Sequence, residues 1–431
     1  MPDRIRRSAT PKLFGWQLAP ESQVCQAQPM TRTIWSNGTV LDGTGAAPSV
    51  ADIAIEGDRI VEIGSNLDGD ESIDCTGRLV TPGLIDCHVH FMADGDFSAN
   101  THLGTPFSMN FFQAAERMQR TLACGVTTVR EAGGADLGVK EAQEHGLIAG
   151  PRMQLSITIL SQTGGHGDGW EVCGAHMPGM MDEHPGRPHN IVDGPEEMRK
   201  KVRELIRAGA DVIKVCTSGG VISTRDDPQH AHFMADELDV LVAEATAAGR
   251  FVMAHAQATD GIKNAIRAGI RSIEHGIYLD DEAIQMMLDA GTYLVPTLIA
   301  PLGVLEAADR GVELPAVILD KCRAVIDVHH ESIRKAIDAG VNIAMGTDSG
   351  VTPHGQNLRE LRAMAELGMS PTAVFESSTR VAAELMGVDR DLGTLEVGKL
   401  ADAVMFSGTD LDVSDLHPRV ERVFQAGERV A

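Results

Sequence analysis

Gly83-Leu84-Ile85-Asp86-Cys87-His88-Val89-His90 is a short apolar run that closes on a His-x-His. A run this short, introduced by Pro82, reads as a buried strand. Side chains alternate faces along a strand, so His88 and His90 share one face and Val89 takes the other. Cys87 then faces away from His88. Two imidazoles on one face at a strand end can bind a metal.

Downstream of this strand, apolar runs alternate with helical stretches. Strands are expected at Leu84–His88, Val126–Glu131, Met153–Ile159, Val212–Cys216, Phe251–Ala254, Ser272–Glu274, Tyr293–Pro296 and Asn342–Gly346. Helical patterns fall between most of them, as at Glu196–Ala208, Ala235–Ala248 and Asp260–Ala268. Eight strands alternating with helices predict an α/β fold, a (β/α)8 TIM barrel over residues 81–392, with its chemistry at the C-terminal ends of the strands.

The flanks have a different texture. Thr31–Leu79 reads as short strands and turns, with Asn37-Gly38 and Asp42-Gly43 as turn signals. Leu392–Phe406 returns to strand-like segments, and Arg419–Val430 looks like another hairpin. Residues 30–80 and 393–431 are expected to form one small composite β-sandwich domain, because chain ends are often close in space. Residues 1–29 carry Arg4, Arg6 and Arg7 with no apolar run behind them, so they read as a disordered extension and not as a secretory signal.

Composition narrows the function. The formal net charge of −24 over 431 residues argues against nucleic acid or an anionic membrane surface as partner. No apolar run approaches the roughly 20 residues needed to span a bilayer. The seven cysteines have no CxxC or regular spacing, so they read as small packed residues in a reducing, cytoplasmic setting.

The polar residues at strand ends make a set. On the strand Val212–Cys216, alternation puts Ile213 and Val215 toward the helices and Lys214 inward. A buried, unpaired ammonium is costly, and its pKa falls. A neutral lysine amine can react with carbon dioxide to give a carbamate, an anionic oxygen ligand able to bridge two metals. His255 ends the fifth strand, His275 the sixth, and Asp348 follows the eighth. Imidazole and carboxylate suit zinc and similar divalent ions. Four histidines, a lysine and an aspartate are more than one tetrahedral zinc needs. Shared by two ions, they leave room for a bridging hydroxide. The alternative is a Lys214–Asp348 ion pair around a single metal.

In this ordered set the chain resembles the amidohydrolase superfamily, from about Thr31 to the C-terminus. The resemblance rests on Pro82–His90, the inward Lys214, His255, Glu274-His275-Gly276, Gly346-Thr347-Asp348 and the stretch Gly393–Asp402. It implies a more buried ion held by His88, His90 and Asp348, and a second held by His255 and His275. N6-carboxylysine at Lys214 and a hydroxide would bridge them. Asp348 would accept the hydroxide proton and deliver it to the leaving amine.

Ser161-Gln-Thr-Gly-Gly-His166-Gly-Asp168 and Lys214–Gly220 look like the imidazolonepropionase-like branch. That branch includes Xaa-Pro and Xaa-Arg/Lys dipeptidases, and amidohydrolases that split ochratoxin A, whose amide joins a dihydroisocoumarin to phenylalanine. The resemblance implies hydrolysis of the amide in a small N-acyl amino acid or dipeptide with a free carboxylate. Hydrolysis of a cyclic amide is the alternative. A homo-oligomer is expected on the same analogy.

A carboxylate calls for donors. His166 after the third strand, and Arg225 and His230 after the fourth, are the candidate substrate contacts. His176, His184 and His189 sit in a Pro/Gly-rich stretch and read as a solvated or lid loop. His329-His330, inside the helical pattern Ala316–Ala339, reads as a surface pair.

Overall fold

Short strands crowd the start of the chain: β1 (Arg32–Val40), β2 (Ser49–Glu56), β3 (Arg59–Gly64), β4 (Glu71–Asp74) and β5 (Arg78–Pro82). The middle supplies β6 (Leu84–Val89), β7 (Val126–Glu131), β8 (Arg152–Leu155), β9 (Ile159–Leu160), β10 (Val212–Cys216), β11 (Phe251–Ala256), β12 (Ser272–His275) and β13 (Tyr293–Val295). The end adds β14 (Ala403–Ser407), β15 (Val420–Gln425) and β16 (Glu428–Arg429). The structure, a computed structural model, describes residues 31–96, 99–176 and 183–431. The extension expected at residues 1–29 lies outside them.

The strands from both ends of the chain share one mixed sheet, ordered β16-β15-β14-β5-β1-β2-β3 with β4 beside β1. Its seam is β14 running antiparallel to β5, with Ala403 opposite Pro82. Trp35, Ile53, Ile60, Val80, Met405 and Phe424 form a core of their own there.

The middle strands are parallel and fall into two sheets, β13-β12-β11-β10-β9 and β6-β7-β8. Parallel strands need crossovers, and the helices supply them. Pro195–Arg207, Ala235–Ala247 and Thr259–Ala268 match the expected helices to within a residue or so. Ile213 and Val215 pack outward with Leu238, Leu241, Ile262 and Ile266 in the main core, as the alternation predicts. None of the described helices is long and apolar enough to cross a membrane.

Two strand expectations need correction. The run expected at Met153–Ile159 is broken into β8 and β9, with Ile157 between them at φ +68°. The eighth, Asn342–Gly346, is not a strand, because its backbone groups are divided among unlike partners. Ala344 N–H donates to the Leu294 carbonyl at 3.0 Å and Met345 N–H to that of Ser377 at 2.8 Å. Just beyond it, Asp348 N–H donates to the His88 carbonyl at 2.8 Å. The segment thus touches both parallel sheets through single bridges, Leu294 to Ile343 and Val89 to Ser349.

Buried Asp86 fastens this segment to β6. It accepts from Thr347 N–H at 3.1 Å, Thr347 Oγ1 at 2.7 Å, Asn357 Nδ2 at 2.8 Å and His88 N–H at 3.0 Å. Burial still pushes its pKa up, to about 6.

Candidate metal centre

Five imidazoles, His88 and His90 from the end of β6 and the others from three further segments, form a continuous arc. Ring centroids are 5.3 Å apart for His90 and His88, and 5.3 Å for His88 and His275. They are 4.7 Å apart for His275 and His255, and 4.2 Å for His255 and His166. Asp348 Oδ1 closes on the first pair, 3.1 Å from His90 Nε2 and 3.5 Å from His88 Nε2. One ligand atom from each of His88, His90 and Asp348 lies within 4.8 Å of the others, a spacing that can hold one ion. Lys214 Nζ sits 3.3 Å from His88 Nε2, on a side chain that is 1% exposed.

Each of four histidines has one ring nitrogen tied to the protein. His88 Nδ1 meets Glu274 Oε2 at 2.8 Å, and His90 Nδ1 meets the Gly133 carbonyl at 2.7 Å. His255 Nε2 meets the Gly219 carbonyl at 3.1 Å, and His275 Nδ1 meets Thr297 Oγ1 at 2.6 Å. A carbonyl or carboxylate acceptor fixes the N–H on the nitrogen it faces and leaves the lone pair on the other. His88, His90 and His255 are set this way, whereas the Thr297 hydroxyl can donate to His275 or accept from it; imidazoles with a carboxylate among them are a donor set that fits metal binding.

The electrostatics favour the neutral form at three of the four rings, and at His90 they favour the charged one. Burial pulls the pKa values of His88, His255 and His275 well below the ordinary histidine value. Burial also pulls His90 down, but its bond to Asp348 and that carboxylate's charge outweigh burial and hold it above. Burial would raise Asp348, yet His88 and His90 hold it below the usual carboxylate range. Burial lowers Lys214, the direction that favours a free amine.

The residues that orient His88 are Glu274, which stands in the Glu274-His275-Gly276 run, and Arg130, which no motif marks. Glu274 accepts from His88, from Arg130 Nη2 at 2.8 Å and from Ser272 Oγ at 2.5 Å. Arg130 also donates to the Cys87 carbonyl at 2.7 Å. Arg130 and Glu274 are both fully enclosed, with side chains 3% and 0% exposed. Arg130→Met would leave that carboxylate without its cation, so it should lower unfolding stability by about 3–5 kcal/mol. Urea denaturation would measure it, and a loss under ~1 kcal/mol, the size of a surface pair, would count against this reading.

Beside the arc is a cleft open to solvent. His166, His255, His275 and Asp348 line it, facing an apolar wall that includes Val221, Ile222 and Val304. The structure brings together His88, His90, Lys214, His255, His275, Asp348 and His166. It does not bring Arg225 or His230 to them. Arg225 turns away to Glu171, at 3.2 Å, and lies over the Trp170 ring. His230 is exposed and faces Asp227 at 3.7 Å.

His329, expected on the surface, is buried and lines the cleft, with Nε2 2.9 Å from the His275 carbonyl. Burial draws its pKa down to about 4. The helix explains the difference: Ile318, Cys322, Val325, His329, Ser332 and Ala336 make one buried stripe, so spacing along the apolar face was the available signal. His184 is not solvated either, since its ring packs on Phe107 and Phe111. Cys75, Cys87, Cys124, Cys216 and Cys322 are buried free thiols, whereas Cys173 is exposed.

The amidohydrolase family model matches residues 79–430. The chain belongs to the amidohydrolase family, and that makes it a hydrolase of carbon–nitrogen bonds. Its relatives fit the imidazolonepropionase-like branch. It is 36% identical over 401 residues to ochratoxinase of Aspergillus niger, covering 88% of this chain and 82% of that protein. It is 26% identical over 398 residues to an imidazolonepropionase of Fusobacterium nucleatum, covering 83% and 85%. A Xaa-Pro dipeptidase crystallised with methionine in its active site superposes with a TM-score of 0.85 at 33% identity, over 93% of this chain and 99% of that one.

Proposed function

We propose that this chain is a binuclear metal-dependent amidohydrolase that cuts the amide of small N-acyl amino acids or dipeptides with a free C-terminal carboxylate. The observation that carries the reading is the arc of inward imidazoles around Asp348 and Lys214, each of four rings tied through its other nitrogen. The names of two relatives, ochratoxinase and Xaa-Pro dipeptidase, support the substrate class. Ochratoxin A, cut to ochratoxin alpha and phenylalanine, is one such substrate.

In this reading His88, His90 and Asp348 would hold one ion and His255 and His275 a second, and Lys214, as N6-carboxylysine, would serve both. Two divalent ions, zinc by donor type, would supply a water that ionises near neutral pH and would polarise the amide carbonyl. Asp348 takes the proton of the attacking water and passes it to the leaving amine. His166 offers a ring nitrogen to the substrate carbonyl or carboxylate. The apolar wall of the cleft takes a side chain of the substrate.

The same reading covers the scaffold. Residues 81–392 form the (β/α)8 barrel, with the two parallel sheets joined through the 342–349 segment. The two ends of the chain, residues 30–80 and 393–431, form the composite β-sandwich. The contact of the Trp35 and Phe424 rings at 4.7 Å supports it. Trp35 on β1 and Phe424 on β15 are separated in the sheet by β5 and β14, so the sheet must curl over a shared core for them to meet.

The test joins a metal assay to a substrate panel of N-acyl amino acids, Xaa-Pro, Xaa-Phe and Xaa-Arg dipeptides and ochratoxin A. About two ions per chain and chelator-sensitive release of an amino acid are expected. The imidazolonepropionase relative favours a second reading, cyclic amide hydrolysis. Ring opening without fragmentation, with no amide in the panel cut, would replace the first reading by the second.

A further inference from the structure

His166 is held more firmly than a residue on a glycine-rich loop needs to be. One face stacks on His255, with rings 4.2 Å apart and 14° from parallel. Gly220 lies so close that a Cβ there would overlap the ring. The Nδ1 atom is 2.7 Å from Asp226 Oδ2. That oxygen also accepts the Gly220 N–H at 2.8 Å.

Behind Asp226 stands Lys321, from the helix Ala316–Ala339. Its Nζ meets Asp226 Oδ1 at 3.2 Å and the carbonyls of Gly220, Ser223 and Asp226 at 3.1, 2.9 and 2.5 Å. The two side chains are 1% and 15% exposed, so the pair is shielded from water. It joins the loop after β10 to a helix about a hundred residues away in sequence.

We propose that Asp226 and Lys321 are positioning residues for the reaction. Asp226 takes His166 Nδ1, so Nε2 is the atom presented to the substrate, and Lys321 pins the loop that carries Asp226. A carboxylate that fixes one imidazole nitrogen sets what the other can do. The inference rests on the reading that His166 touches an amide substrate. It also replaces Arg225 and His230: what matters in this loop is the buried Asp226 between them.

The experiment is a double-mutant cycle between Asp226→Asn and His166→Ala, scored on the best amide of the panel. Alone, Asp226→Asn should lower kcat on the order of 10²-fold, within the usual reach of a positioned acid–base group. KM and metal content should stay near wild type, while the melting temperature should fall, because Lys321 loses its shielded carboxylate. In the His166→Ala background the same change should matter less than about twofold, because neighbours that act as a unit are not additive. Lys321→Met should reproduce the loss and Lys321→Arg should restore most of it. If Asp226→Asn does not fold, the two Lys321 variants carry the cycle. Equal losses with and without His166 would overturn the proposal, because Asp226 would then act by some other route. A wild-type enzyme that cuts no amide would instead remove the reading on which the proposal rests.

Discussion

Lys214→Ala is expected to lower kcat/KM by about 10⁴-fold or more and to reduce bound metal from about two ions per chain to about one or fewer, because under the proposed function it removes the anion that two cations would share. Lys214 projects from the middle of β10 into a buried space whose near neighbour is a histidine nitrogen 3.3 Å away. Asp348 lies nearer to His90 and His88, with which it makes its direct contacts, and interacts with Lys214 through charge. An ammonium in that place would add positive charge where the proposed function puts two cations, and burial already favours the amine. Carboxylation of the amine reverses the sign of the group. Reconstitution of metal-stripped protein should therefore be stimulated by bicarbonate in the wild type and not in the variant. Labelled bicarbonate should leave a carbamate signal in the wild type alone. A Lys214→Ala protein that holds both ions and turns over normally would show that the side chain is structural.

What was legible in the sequence was whatever followed from local periodicity. Alternation along a strand put His88 and His90 on one face, Lys214 inward and Ile213 and Val215 outward, and each of these is realised. The helix Ala316–Ala339 was bounded correctly by its pattern. What failed depended on where loops travel. Arg225 looked like a substrate contact because it follows a catalytic strand, but a loop has no period to say which way it turns. Here it turns toward Trp170 and Glu171. Asp226, the next residue, turns inward to His166. The supporting residues were hidden for a related reason. Glu274 orients His88 across 186 positions, and Asp226 reaches His166 across 60. Glu274 stands in a marked run, but nothing local says which ring it faces, and no local pattern marks Asp226. His329 is a different kind of miss. Its place on the buried stripe of its helix was readable, but a doubled histidine suggested solvent.

Asp348→Asn is expected to be nearly as damaging as loss of the lysine, and it separates the two roles that the proposed function gives to this one residue. Asparagine keeps the shape of the side chain and tolerates the left-handed backbone that Asp348 adopts at φ +56°. The fold and the bonds around Asp86 should therefore survive, which circular dichroism and thermal unfolding would check. What is lost is the charge beside His90 and His88 and the acceptor for the water's proton. Turnover should fall about 10³–10⁴-fold, toward the upper end of general acid–base contributions. The loss should appear in kcat and kcat/KM alike, as for an interaction made only in the transition state. Leaving groups distinguish the roles. An anilide with a nitro substituent needs little protonation as it departs, so the variant should lose less on it than on an ordinary amino acid amide. An equal loss on both would mean that Asp348 serves as ligand and base only, and that the leaving amine takes its proton elsewhere. His166, at the same cleft and held by Asp226, is the group that geometry would then nominate.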